Sequence, residues 1–472
     1  MSQKDSATMT NATENSSPTT DTKRTYTKSR RVTRIQRRGL DPLSGNMIQK
    51  FLKRSIVNIV ISMRSSKEMR RTGVVYNPLS EISHQDPQTI WRNLRYKDPI
   101  HWSDVVQGWV VSRHSDVDTI LRDFKRFSNV PQMLLDQSQE SPLVDNDELD
   151  VNNAPSMLQS DPPDHTRLRT LVSHAFTPKA IALWKTTVET VADELIENIS
   201  QKKNFDFLTE YANLLPLIVI AEMVGVPHTD RDLFKSWSVK VARTLEPTIT
   251  ADQAEEADQA TVELAEYFDR IIQSRRIEPK DDLITVLIQA EEEGDKLNHG
   301  EVIAALTLIL IAGHETTSNL LGNGMYALLN NPEQLTWLRK NPEQIDVAVE
   351  ELLRFDSPVA VNARTALEDV DVGGVPVKAG DSLILLQGSG NFDEELREHS
   401  DALALENGDK NHLSFGRGIH YCLGAPLARL EGQIGFQKIL DRWGDIRLAG
   451  SPEYKDHIVL RGLKTLNVQV ND

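Results

Sequence analysis

The sequence predicts one large, mainly α domain with a small β-sheet, and three observations predict it. From Thr166 to about Asn330 the apolar pattern is nearly all helical, interrupted at Val226-Pro227, Glu246-Pro247 and Glu278-Pro279. Strand signals are confined to His101–Trp102 and Trp109–Val111, then to Asn362–Leu367 and Ser382–Leu386, with Gly373-Gly374 marking a tight hairpin. No internal repeat divides the 472 residues, and 39% of them are hydrophobic, enough for a large core.

The two ends of the charge distribution differ. Residues 1–40 carry nine Lys/Arg against three Asp/Glu, a net of +6, so the remainder carries −22 of the overall −16. Residues 1–45 read as a basic, disordered tail and 46–472 as the folded domain. An acidic body argues against nucleic acid as a partner. Met47 to Arg64 reads as an amphipathic helix with Phe51, Ile56, Ile59 and Val60 on its apolar side, either folded back on the body or lying on a membrane surface. A membrane span needs about 20 apolar residues. The longest such run in the first hundred residues is Ile56 to Met63, so no span is expected. Met1 to Thr20 lacks a signal-peptide core, and Asp5, Glu14 and Asp21 argue against a transit peptide. The single Cys excludes an internal disulfide, a four-cysteine zinc site and an iron–sulfur cluster held by this chain, and fits a reducing cytoplasm. Residues 129–160 form a long irregular stretch with Pro131, Pro142 and Pro155, either functional or disordered.

One helix dominates. Asn298-His299-Gly300-Glu301 has the form of a capping box, and the periodic run continues to Asn330, where Pro332 stops it. Such a helix spans roughly 48 Å at 1.5 Å per residue. In its middle lies Ala312-Gly313-His314-Glu315-Thr316-Thr317. Gly313 marks either a packing notch for a crossing helix or a place where a flat ligand approaches the backbone.

The most specific signal is Phe415-Gly416-Arg417-Gly418-Ile419-His420-Tyr421-Cys422-Leu423-Gly424. Its three glycines permit a tight turn with positive φ. The loop runs into a helix from Ala425 to Trp443, and a cysteine ahead of a helix N-terminus is favoured as thiolate. A lone cysteine is by default a small buried hydrophobe; this loop overrides the default.

Phe415 to Gly424 resembles the haem-binding signature Phe-Gly-x-Gly-x-His-x-Cys-x-Gly of the cytochrome P-450 family at every specified position. Three further motifs occur in the family's order. Ala312 to Thr317 resembles the oxygen-activation motif, and Glu351-Leu352-Leu353-Arg354 the Glu-x-x-Arg of a structural helix. Asp161 to Arg169 resembles the segment that approaches the haem propionates. The resemblance runs from about Asn77 to the C-terminus. It implies the cytochrome P-450 fold and haem b, with Cys422 as the iron ligand and His165, Arg169, Arg364 and His420 meeting the propionates. It also implies that Phe415, Gly424 and Gly313 line the cofactor, that Glu315 and Thr316 form an acid–alcohol proton relay, and that Glu351 and Arg354 form a supporting ion pair.

The expected activity is insertion of one oxygen atom from dioxygen into a small, apolar organic molecule by a monomeric enzyme. Fifty residues follow Cys422 and no flavin or ferredoxin module is legible, so a ferredoxin and its NAD(P)H-dependent reductase are the expected partners. A peroxygenase, or a haem sensor without turnover, stays open as an alternative. The sequence departs from the family before the haem loop. The arginine that completes a triad with Glu351 and Arg354 aligns with Ala402; either Arg397 takes its place or the region is held less firmly.

Overall fold

The computed structural model describes residues 47–132, 135, 156–292 and 297–471. The expected basic tail and most of the irregular stretch 129–160 lie outside the described residues. The helices that build and carry the site are α1 (Met47–Thr72), α2 (His114–Arg122), α3 (Asp164–Ser173), α4 (Lys185–Ile199), α5 (Leu214–Val224), α6 (Arg231–Ala242), α7 (Ala251–Ile277), α8 (His299–Asn330), α9 (Ile345–Phe355) and α10 (Ala425–Arg442). Leu43–Asp472 clusters as one compact unit.

Helix α8 is the axis. The Asn298 side chain accepts from the Glu301 N–H and the Glu301 carboxylate accepts from the Asn298 N–H, both at 2.9 Å, the reciprocal cap that the sequence predicts. Val302, Ile303, Leu306, Leu310, Leu320, Leu321 and Leu328 are all buried. Each such side chain contributes about 1.5–3 kcal/mol on burial. Together they outweigh the ~1 kcal/mol that a glycine costs in a helix interior, and α8 passes through Gly313 without a break. The notch at Gly313 receives α5: a Cβ there would lie 3.2 Å from the Ile220 side chain.

A five-stranded sheet stands apart from the helical core, in the order β1-β2-β8-β5-β3. Its strands are β1 (Ile100–Ser103), β2 (Gly108–Val111), β3 (Phe127–Ser128), β5 (Asn362–Ala366) and β8 (Ser382–Leu385). β2 and β8 run parallel and the other neighbours antiparallel. β6 (Val370–Val372) and β7 (Val375–Val377) form the hairpin expected at Gly373-Gly374. A second sheet, of β4 (Asn204–Asp206), β10 (Asn467–Asn471) and β9 (Asp445–Leu448), was not foreseen. β4 is three residues inside a stretch read as helical, and only its distant partner β10 makes it a strand.

α1 exists but runs eight residues beyond the predicted Arg64, and its docking is polar. The buried Glu68 carboxylate accepts from the Tyr76 and Asp104 N–H groups at 2.7 and 2.9 Å and meets His101 Nε2 at 2.6 Å. Ile59 and Val60, expected on an apolar face that either folds onto the body or lies on a membrane, are 59% and 40% exposed. With Glu68 turned inward, that stripe cannot also face the body.

The Glu351 carboxylate has no solvent exposure. Arg354 Nε and Nη2 donate to it at 2.8 and 2.9 Å, and Arg397 Nη1 donates at 2.6 Å. Arg397 therefore fills the position left by Ala402. Ala402 contributes only its carbonyl, which accepts from Arg354 Nη2 at 2.9 Å. Removing one of two cations from a buried carboxylate costs about 1.5–3 kcal/mol when the other remains. Arg397→Ala is therefore expected to lower unfolding stability by about 2 kcal/mol, and Ala402→Arg in that background to recover part of it, both read from thermal melts of the holoenzyme. An unchanged melt in Arg397→Ala would remove this account of the triad.

Candidate active site

The cysteine loop is held by its own backbone and by α2. Gly416 and Gly418 take φ values of +67° and +68°, as the tight turn requires, while Gly424 does not use the left-handed region. A Cβ on Gly418 would lie 2.5 Å from the Leu121 carbonyl oxygen, so the loop touches the end of α2 at bare backbone. Arg417 fastens that contact, donating to Asp118 at 3.0 Å and to the Asn411 carbonyl at 2.6 Å. The Cys422 N–H donates to the Phe415 carbonyl at 2.9 Å and closes the turn. Phe415 is buried, with the Arg429 guanidinium 4.6 Å from its ring centroid.

Burial pushes the Cys422 thiol up. The N–H groups of Gly424 and Ala425 at the start of α10, together with Arg169 and Arg429, pull against it. A soft cation on the sulfur resolves that conflict, because a coordinating thiol is deprotonated outright.

The second part of the site is a group of two guanidiniums and two imidazoles, on which Asp161 acts by favouring the charged forms of His165 and Arg364. The His165 and His420 rings lie 4.2 Å apart, centroid to centroid. Both ring nitrogens of His165, and Nε2 of His420, are buried without a hydrogen-bond partner. Arg169, on α3, donates to the Tyr421 carbonyl at 2.5 Å. Arg364, on β5, is buried and donates from Nη1 to Asn362 Oδ1 and to the Ala363 carbonyl at 2.8 and 2.7 Å. Burial pushes Arg364 down to about 10. Burial, then His165, Arg364 and Arg169, push His420 down to about 3. Unpartnered polar atoms in an apolar slot are costly. Two carboxylates beside a thiolate-bound iron fit this set of donors, and haem carries two.

The third part is the middle of α8. His314 is fixed between Ser238 on α6, 2.9 Å from Nδ1, and the Asn213 carbonyl, 3.1 Å from Nε2; burial pushes it down to about 4. Burial works to raise the Glu315 carboxyl. Lys455, whose Nζ donates to it at 2.8 Å, more than offsets this and the net shift is downward. Thr316 Oγ1 donates to the Ala312 carbonyl at 2.7 Å, a bond to the preceding turn that a purely structural threonine would also make.

Sequence reasoning assembled Cys422 with its cation group. It missed Lys455, 140 positions from its partner, and it missed Glu431. Glu431 lies on α10, fully buried, and bonds Thr317 of α8; burial pushes its carboxyl up to about 8. A glutamate on a helix reads as a solvated charge, and only the packing of α10 onto α8 makes it otherwise.

The Cytochrome P450 family profile matches residues 223–444. The polyketide biosynthesis cytochrome P450 PksS of Bacillus subtilis (strain 168) is 38% identical over 408 residues, covering 84% of this chain and 99% of that protein. Cytochrome P450 107B1 of Saccharopolyspora erythraea is 37% identical over 398 residues, covering 82% and 95%. The solved structure of P450BioI in complex with an acyl carrier protein ligated to hexadec-9Z-enoic acid is 35% identical, with a TM-score of 0.75 over 82% of this chain and 99% of that one. The chain belongs to the cytochrome P450 family. It is a haem-thiolate monooxygenase that binds haem b and takes its electrons from redox partners. Among the described residues no helix is long and apolar enough to cross a membrane.

The Glu431 carboxyl gives a pH-dependent test. Unfolded, it ionises above about pH 4.5; folded, it stays protonated to about 8, so the native state holds one proton more across that window and stability falls as pH rises. Glu431→Gln removes the effect. Its melting temperature is expected to exceed the wild type's at pH 8 and to converge with it toward pH 5. A gap that is constant with pH would mean that Glu431 is ionised in the fold.

Proposed function

We propose that Cys422 ligates the haem iron, that His165, Arg169, Arg364 and His420 hold the propionates, and that Glu315 and Thr316 deliver protons during oxygen activation. Phe415, Gly424 and Gly313 complete the cofactor's surroundings. The observation that carries this reading is the convergence of two guanidiniums and two imidazoles beside Cys422, with three buried imidazole nitrogens left unpartnered. A haem sensor would need the same cradle; what favours turnover is the ionised Glu315 beside the Thr316 hydroxyl on α8.

Held by a thiolate, haem supplies the reductive activation of dioxygen, because the thiolate pushes electron density toward iron and favours O–O cleavage. The chain's residues supply the rest. Arg169 and Arg364 orient the cofactor through their fixed forks of donors. The N–H groups of Gly424 and Ala425 hold negative charge on sulfur. Thr316 uses its own proton on the Ala312 carbonyl, so its lone pairs are left to accept a hydrogen bond from a water in the slot. Glu315, ionised beside Lys455, would take a proton from bulk water and hand it to that water, which releases one of its own protons toward the slot, so that the carboxylate is restored.

Electrons come from a small ferredoxin and its NAD(P)H-dependent reductase, the setting is the cytoplasm and the enzyme acts as a monomer. The substrate is a small apolar molecule. Residues 46–472 form the catalytic domain and 1–45 a basic tail outside it. Deleting 1–45 is expected to leave haem content within about 20% of full length, because a segment that cannot bury a core adds little stability; a large loss of holoenzyme would make the tail structural.

Two further variants test the site. Cys422→His is expected to abolish the red-shifted carbon-monoxide band, and a retained band would exclude Cys422 as ligand. Thr316→Ala is expected to bind haem and substrate normally but to release peroxide, with product per NAD(P)H falling by up to about 10²-fold. Thr316→Ser should keep much of the coupling, and Glu315→Gln should slow oxygen activation as a whole. Full coupling in Thr316→Ala would leave Thr316 as a helix-packing hydroxyl.

A further inference from the structure

Near the C-terminus the chain turns back in a hairpin between Tyr454 and Leu463, which bridge each other, with the Lys455 N–H donating to the Gly462 carbonyl at 2.9 Å. It lies along a polar stripe of α8 formed by Glu315, Asn319 and Asn323, four residues apart and so on one face. Lys455 Nζ donates to Glu315 at 2.8 Å, Gly462 rests directly on the Asn319 amide, and Asn323 donates to the Arg461 carbonyl at 3.0 Å. The tip of the same hairpin is held from the other side. Glu246, in the connection between α6 and α7, is 3% exposed, and its carboxylate accepts the N–H groups of Ile458, Val459 and Leu460 at 2.7, 3.1 and 2.8 Å. Three successive N–H groups converging on one carboxylate form an anion cradle. α6 itself reaches α8 one residue away from Glu315, through Ser238 and His314.

We propose that Lys455 is a positioning residue of the oxygen-activation step, and that Glu246 ties its hairpin to the α6–α7 connection, so that the position of that connection governs the grip of Lys455 on Glu315. This rests on the reading of Glu315 as the relay acid. The physical warrant is one rigid element held at two ends. If the α6–α7 connection moves away, Glu246 leaves three N–H groups without their acceptor, and the hairpin tip keeps only its bridge to Val359 and the Ala360 N–H on the Val459 carbonyl. The base of the hairpin stays fixed by Arg461, which donates to Asp356 at 2.7 Å and stacks 3.6 Å over the Tyr454 ring. Between a fixed base and a tip held on one side only, Lys455 is the side chain whose reach toward α8 changes. A connection seated on the hairpin and a carboxylate held by Lys455 then favour each other, which is what coupling between two sites means.

The test uses the full-length holoenzyme with its redox partners. Hydrogen–deuterium exchange at amides 458–460 reads the latch without turnover, and product and peroxide per NAD(P)H read the relay. Glu246→Gln is expected to speed exchange at 458–460 and, though Glu246 lies outside the relay, to lower product per NAD(P)H by about fivefold or more, as does Lys455→Met. The double variant should be no worse than the poorer single one, and Lys455→Arg should keep most of the coupling. If Glu246→Gln loses haem, Glu246→Asp, which keeps the charge and shortens its reach, replaces it. Faster exchange at 458–460 with wild-type coupling would overturn the link, as would losses that multiply in the double variant or an unaffected Lys455→Met. Glu315→Gln separates the two readings. If it is impaired while Glu246→Gln and Lys455→Met are not, only this inference falls; if it is fully coupled, the relay role of Glu315 falls first.

Discussion

Two imidazoles and two guanidiniums share one buried region beside Cys422; among the described residues none of them is hydrogen-bonded to a carboxylate, and Asp161 acts on His165 and Arg364 only from a distance. Most of the architecture follows from keeping that region intact. α3 brings His165 and Arg169, β5 brings Arg364, and the cysteine loop brings His420. These elements are distant in sequence, and burial together with the two guanidiniums holds both imidazoles below their ordinary range, a cost that the proposed propionate contacts would offset. On the proposed assignment, cofactor binding and folding would be coupled through this cluster, because whatever binds only the native state stabilises it.

The opposite is true of the oxygen-activation segment, where every polar group has its partner within the protein. His314, Glu315 and Thr316 bond α6, the hairpin and the preceding turn respectively. A fully satisfied polar network in a low-dielectric interior is stiff. Under the proposed roles, proton transfer through Glu315 would require a rearrangement of bonds already made, whereas haem binding would complete bonds not yet made. The two halves of the site are poised differently.

The cysteine loop, the capping box of α8, the Glu-x-x-Arg pair and the hairpin at Gly373-Gly374 were legible in the sequence because each is local. The cap is written in residues three apart, and the loop in ten consecutive residues. What was not legible is non-local. β4 is a strand only because β10 returns to it, Lys455 meets Glu315 across 140 positions, and Glu431 becomes a buried acid only when α10 packs on α8. α1 shows the same limit from another direction. Its periodicity was read correctly, but the face that docks was decided by Glu68 and its partners, which no periodicity reports.

The substitution of Arg397 for an arginine at 402 has a consequence for how such a chain could have arisen. The Glu351 carboxylate is fully buried, so a chain with neither arginine would leave it on Arg354 and the Ala404 N–H. A chain with both would tolerate the loss of either. A stepwise path that installs the newcomer before the incumbent is lost avoids that cost, and the reverse order incurs it. Comparison by aligned columns will score as an arginine-to-alanine substitution at 402 what is a relocation to 397.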